Sequence, residues 1–296
     1  MRINYSGRLL IVVIMMCCFV GVCGEVLGQT IDYFDLKRVE KMPRGMSVRI
    51  KTQSWLVLHS EFGDWMLDGM KAYQQKEIKR YPLIVVKNRT NRRKGHTIKG
   101  ELKHGWIYGL NRGDTNWKRK LEFLKKCLAE GGWIDAKIKR DGKRLTGKYE
   151  EGKLLVVVEM LGERDTKADA DEYCKRISEM EEKYPYVMFV YCTMPLTKER
   201  DEKNLQRNMF NREVRLFCKK RDKLLFDVAD IQSRTPKGER VTFLWDGEPY
   251  HRMYSSYAHS DGKLNEDGRK VLAKGWYAVA WAAAERERKF VKKSER

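Results

Sequence analysis

The sequence predicts an α/β fold, a mostly parallel sheet with helices on both faces. Apolar runs alternate with amphipathic stretches through most of the 296 residues. Several of those runs are continuously apolar, as strands buried on both faces must be. The composition, 42% hydrophobic and 34% charged, suits a folded chain of one large domain or two small ones. No internal repeat is visible.

The elements follow in order. Residues 1–28 carry Arg2 and Arg8, then "LLIVVIMMCCFVGV" (Leu9 to Val22), then the small residues Gly24 and Gly28. This reads as an export signal cleaved after Gly24 or Gly28. The run falls short of the ~20 apolar residues of a membrane span. An uncleaved anchor is the other reading, and Cys23 sits in a poor lipoprotein box. Residues 29–47 are polar and aperiodic and read as a lead-in to a domain over 48–290. "SWLVLHS" is a buried strand, followed by an amphipathic helix with Trp65, Met66, Gly69, Met70 and Tyr73 at helical spacing. "PLIVVKN" is a second strand. The basic stretch after it has no apolar period and reads as a loop or insertion. "IYGLNRGDTNW" reads as a Gly- and Asn-rich loop, and Asn116 as the N-cap of the next helix. From Trp133 two turn signals suggest a hairpin that leads into the strand Leu154 to Val158. Helix, strand, helix and strand follow, and a last helix runs from about Glu266 to Lys289. Residues 291–296 read as a charged tail.

Net charge +20 points to an anionic partner. For an exported chain that means an ester-bearing carbohydrate or an anionic envelope polymer, with no nucleic acid expected. No membrane span remains once the signal is cleaved. Localisation is expected to be outside the cell or in the cell envelope. The segment from Lys87 to Lys103 is a candidate contact patch or an ordinary solvated loop. Cys127, Cys174, Cys192 and Cys218 form no CxxC pair, so no zinc site is expected. They read as buried thiols, with one disulfide among them left open.

Three places hold candidate chemistry. Ser60 follows the first strand and precedes a helix, where the helix N-terminus favours negative charge. It reads as a nucleophile or as a plain N-cap. Gly109 and Asn111 lie before another helix, and Asn111 reads as an oxyanion donor or as turn chemistry. "AHSDGKLNEDG" brings His259, Asp261 and Lys263 together before the last helix. That is a candidate acid–base loop or an Asx-type turn ahead of an Asn265 N-cap.

As a set these pieces resemble the SGNH/GDSL-type hydrolase superfamily, in an exported bacterial branch. "YPYVMFVYCTMPLT", "RNMFNREVR", "LLFDVADIQS" and "SDGKLNEDGRKVLA" carry the likeness in the second half. "VLHSEFGDWMLDGM" and "GLNRGDTNWKRKLEFLKKCL" carry it in the first. The order of the blocks is the specific feature, over roughly residues 50–285. The resemblance implies a three-layer α/β/α sandwich with a flavodoxin-like sheet, and ester hydrolysis without metal or other cofactor. It puts the nucleophile on Ser60 (or, aligned on "LDGM", the place of Glu61). It puts oxyanion donors on Gly109 and Asn111, and the acid and base just before the last helix, where Asp261 and, in a shifted role, His259 are the candidates. Where the family's last block has its histidine, this sequence has Lys263. A protonated lysine is no base at neutral pH unless burial lowers its pKa by several units.

Three readings follow. One is an altered hydrolase fold that binds a glycan or envelope polymer. The second is a serine esterase using Ser60 with His259. The third is a basic envelope protein whose charge alone matters.

Overall fold

The computed structural model describes residues 28–89, 105–113, 116–129, 155–185 and 187–294. The export signal up to residue 27, most of the basic segment and the expected hairpin from Trp133 lie outside the described residues.

In chain order the elements are β1 (Thr30–Ile31), a 3-10 turn (Tyr33–Asp35), α1 (Leu36–Glu40), α2 (Arg44–Ile50), β2 (Ser54–His59), α3 (Glu61–Lys76), β3 (Ile84–Arg89), β4 (Trp106–Asn111) and α4 (Trp117–Leu128). There follow β5 (Leu155–Glu159), α5 (Ala170–Lys183), β6 (Val187–Cys192), α6 (Glu202–Lys220), β7 (Leu224–Phe226), α7 (Val228–Gln232), β8 (Thr242–Trp245), β9 (Glu248–His251) and α8 (Glu266–Ser294).

The strands form one seven-stranded sheet in the order β1-β7-β6-β5-β2-β4-β3, with every pairing parallel. Helices cover both faces, so the architecture is the expected three-layer α/β/α sandwich. Strand alternation divides the core. Trp55 and Val57 of β2 join Val156, Val158 and Ile107 under α3 and α8. Leu56 and Leu58 join Val157, Tyr108 and Phe189 under α4, α5 and α6. Trp276 of α8 locks the first layer, its ring 5.3 Å from Trp55 and 5.8 Å from Phe226. That packing sets α8 against α3, where Gly69 meets the backbone of Arg269.

The structure adds to the sequence reading at several points. Residues 29–47, expected as a lead-in, supply β1 at the sheet edge against β7, followed by the 3-10 turn and the first two helices. A two-residue strand is too short to show a period, and its partner lies far along the chain. Ile107–Asn111, read as a loop, is β4, paired with β2 and β3. Gly109 and Asn111 mimic turn composition there, yet the strand is buried on both faces. An antiparallel hairpin, β8–β9, stands apart from the main sheet. α8 extends to Ser294, into the tail expected to be charged and frayed.

The four cysteines are buried and unpaired. Burial pushes the Cys127 and Cys174 thiols up to about 12, so they are inert. Among the described residues no helix is long and apolar enough to cross a membrane.

Candidate functional site

β2 ends at His59 and α3 begins at Glu61, so Ser60 occupies the single step between them. β2 lies between β5 and β4, with Leu58 opposite Glu159 and His59 opposite Asn111. The carboxyl ends of three strands therefore meet at Ser60, the usual place for reactive groups in an open parallel sheet. Ser60 has extended backbone (φ −102°, ψ −163°), but its side chain makes no cap hydrogen bond. Other helix starts do use their side chains, as at Asn116, Asp169 and Asp201. The simple N-cap reading of Ser60 thus fails. Its hydroxyl makes no hydrogen bond among the described residues, although the residue is only 4% exposed. Glu61, the other frame, is the exposed first residue of α3. It lines a shallow cleft with Asp64, Trp65, Asp68 and Lys87.

The loop after β5 backs the hydroxyl. A Cβ on Gly162 would overlap Ser60 Oγ and lie 3.6 Å from Asp165 Oδ2. The Gly162 N–H donates to Asp165 Oδ2 at 2.7 Å, and Lys120 Nζ pairs with the same carboxylate in a buried ion pair. The close approach at Gly162 is therefore required by the serine. Gly162→Ala is expected to push Oγ aside at about 1–3 kcal/mol of stability. Any Ser60-dependent reaction should then fall more than the melting temperature implies. Thermal melts, set beside Ser60 labelling in a Lys263→His background, check this.

Behind the serine lies a ring of polar groups. Asn111 Nδ2 donates to Asp64 Oδ2 at 2.5 Å, and the Gly113 N–H donates to Asn111 Oδ1 at 2.7 Å. Lys87 Nζ lies 2.8 Å from Asp68 and 3.4 Å from Asp64. Arg112 grips Glu159 with two buried hydrogen bonds of 2.6 and 2.7 Å. Burial pushes the Glu159 carboxyl up, and the Arg112 guanidinium works against it. The two expected oxyanion residues are thus placed differently. Asn111 is at the strand end with its amide turned to Asp64. Gly109 is inside β4 opposite Val57, where a Cβ would overlap Leu67 and come 3.0 Å from His59 Nε2. Gly109 makes room for an imidazole.

That imidazole is fully buried. His59 Nδ1 lies 2.7 Å from the Ser60 carbonyl oxygen, and Nε2 has no partner. Burial lowers the His59 pKa to about 4, opposed by the Ser60 bond and by Asp64. An unfolded imidazole protonates near 6.5. Between these values the unfolded state binds more protons, so stability falls as pH drops from about 6.5 to 4, by about 3 kcal/mol from this group. Urea midpoints at pH 7 and pH 4.5 are expected to diverge less in His59→Asn than in the parent. His251, also lowered to about 4 by burial, stays in both proteins and cancels in the comparison.

The loop before α8 closes on itself. Ala258 bridges Leu264, and the His259 N–H donates to the Lys263 carbonyl at 2.8 Å. The Gly262 N–H donates to the His259 carbonyl at 3.0 Å, and Gly262 has φ +83°, which favours glycine. Lys198 Nζ pins the loop through the carbonyls of His259 and Ser260. Asn265 Oδ1 accepts from the Gly268 N–H, so it caps α8 as expected. Lys263 Nζ lies 2.9 Å from Asp261 Oδ2, and its N–H donates to Asp261 Oδ1. The Asp261 pair holds the Lys263 ammonium above its usual value, with a smaller contribution from Glu61 beside Ser60. His259 is exposed, and its imidazole makes no hydrogen bond among the described residues. The acid of this loop therefore serves Lys263, and no hydrogen bond joins Ser60 to His259, Asp261 or Lys263. Among the described residues no cluster of His, Cys, Asp or Glu could hold a metal.

Sequence reasoning did not single out His59, Gly162, Asp165 or Lys120. The available signals were the "HS" pair and a glycine three residues past a buried strand.

No family model and no curated protein matches the chain. Solved structures do. A lipolytic protein of the G-D-S-L family from Desulfitobacterium hafniense is 11% identical, covering 77% of this chain and 99% of its own, with TM-score 0.40. An acylhydrolase from Bacteroides fragilis is 7% identical (79% and 88% covered, TM-score 0.44). An acetylxylan esterase from Geobacillus stearothermophilus is 13% identical (78% and 98% covered, TM-score 0.41).

Proposed function

We propose that the chain is an exported SGNH hydrolase-like protein that binds an ester-bearing carbohydrate or anionic envelope polymer at Ser60 without turning it over through that serine. The observation that carries this is the Asp261–Lys263 ion pair at 2.9 Å. A serine hydroxyl becomes a nucleophile when a base within hydrogen-bond reach takes its proton. A lysine held protonated by a carboxylate cannot do so. The net charge of +20 supports the anionic partner.

Turnover of p-nitrophenyl acetate by the wild-type protein should match that of Ser60→Ala. Binding of an acidic polysaccharide should weaken as salt rises, because the contacts are screened charges. Ser60-dependent turnover, or salt-independent binding, would contradict this reading.

The second reading is a working esterase with His259 as base. The uncapped, unbonded hydroxyl of Ser60 favours it. It requires that His259→Ala abolish a turnover that the wild type possesses.

A further inference from the structure

We infer that His59 is a positioning residue for the Ser60 site: its Nδ1–H holds the Ser60 carbonyl and so aims the next peptide N–H, that of Glu61, out of the helix end as an anion donor. The inference rests on the proposed reading of Ser60 as the nucleophile position of an altered hydrolase site, silent in the wild type for want of a base.

The tautomer follows from the partner. A carbonyl oxygen only accepts, so Nδ1 carries the proton in the 2.7 Å contact with the Ser60 oxygen. Nε2 is then a bare lone pair, and it is buried without a partner. An unpaired buried acceptor is destabilising. A leucine or phenylalanine would fill this space without that cost, so the position is using the Nδ1 donor.

The surroundings are shaped for the ring. A Cβ on Gly63 would overlap the imidazole, and a Cβ on Gly109 would crowd Nε2 from the neighbouring strand. The charges whose fields reach the ring are Asp64, Arg112 and Lys87. The Ser60 carbonyl also accepts from the Gly63 N–H at 3.1 Å, so it is held from two sides. A trans peptide is planar, with its C=O and N–H pointing opposite ways. Fixing the Ser60 carbonyl against His59 therefore turns the Glu61 N–H away from the core. That N–H is in the first turn of α3, where backbone donors lack intrahelical partners and favour negative charge. A tetrahedral oxyanion formed at Ser60 would need such a donor.

Two measurements test this. Nitrogen-15 NMR of the histidines in the wild-type protein at pH 7 should show a neutral Nδ1–H tautomer for His59, assigned by its loss in His59→Asn. An Nε2–H tautomer or an imidazolium overturns the inference whatever the protein catalyses. The second measurement uses the Lys263→His background. There His59→Asn, which can still donate to the Ser60 carbonyl, should keep most of the gained kcat. The near-isosteric His59→Leu should lose about 10²-fold in kcat, with KM little changed. Thermal melts show whether both are folded. Equal rates for the Asn and Leu variants overturn the positioning role. If Lys263→His itself gains nothing, the proposed function fails, and the NMR result alone decides the role of His59.

Discussion

Lys263→His is expected to raise hydrolysis of p-nitrophenyl acetate, through Ser60, to about 10²- to 10⁴-fold above the wild-type level, the usual contribution of a positioned general base. The loop is already shaped for the change. Asp261 lies within hydrogen-bond reach of the side chain at 263, and Lys198 anchors the loop backbone. Glu61, next to Ser60, contributes a little to holding the Lys263 ammonium protonated, so the two groups share one electrostatic neighbourhood. An imidazole there would gain a carboxylate to orient it, the arrangement in which a base is useful. The substitution removes only an exposed, solvent-screened ion pair, so stability should change little. Adding Ser60→Ala should erase the gain. A gain that survives Ser60→Ala would mean hydrolysis by the new imidazole alone.

Arg112→Met is expected to be the most damaging change to stability, at about 3–5 kcal/mol. The guanidinium is almost fully buried. It donates to Glu159 through two nitrogens and also to the carbonyls of Lys120 and Met160. Removing it strands a buried carboxylate that burial already pushes toward its neutral form. The melting temperature should fall by about 10 °C. Replacing both partners, Arg112→Met with Glu159→Leu, should recover most of the loss, because an apolar pair leaves no uncompensated charge. If the double variant melts no higher than Arg112→Met alone, the pair is not the source of the stability. Glu159 also closes β5 beside Ser60, so the single variant should disturb the site as well.

The fold was legible where burial leaves a continuous apolar signature. β2, β5, β6 and β7 are such runs, and α3 shows its buried face in Met66 and Met70. β4 was not legible because Gly109 and Asn111 imitate a turn. Gly109 is there for the His59 ring, a demand set by another strand. β1 was missed because two residues carry no period.

The site was legible only in part. Ser60 stood out by its place between strand and helix, and the lysine at 263 by the resemblance. The support around Ser60 was invisible for a simple reason. Arg112 meets Glu159 across 47 positions and Lys120 meets Asp165 across 45, distances at which one sequence shows no pairing. A charged residue in such a pair looks like any solvated one until the fold buries both. His59 was hidden differently, since a histidine at the end of a buried strand reads equally as core or as surface.

The most direct test of the account is the reaction of the wild-type protein with a fluorophosphonate probe at pH 7, mapped by mass spectrometry. The account predicts that Ser60 stays unmodified in the folded wild type and is labelled in Lys263→His. Stoichiometric labelling of wild-type Ser60, lost in His259→Ala, would contradict it and establish the exposed histidine as the base.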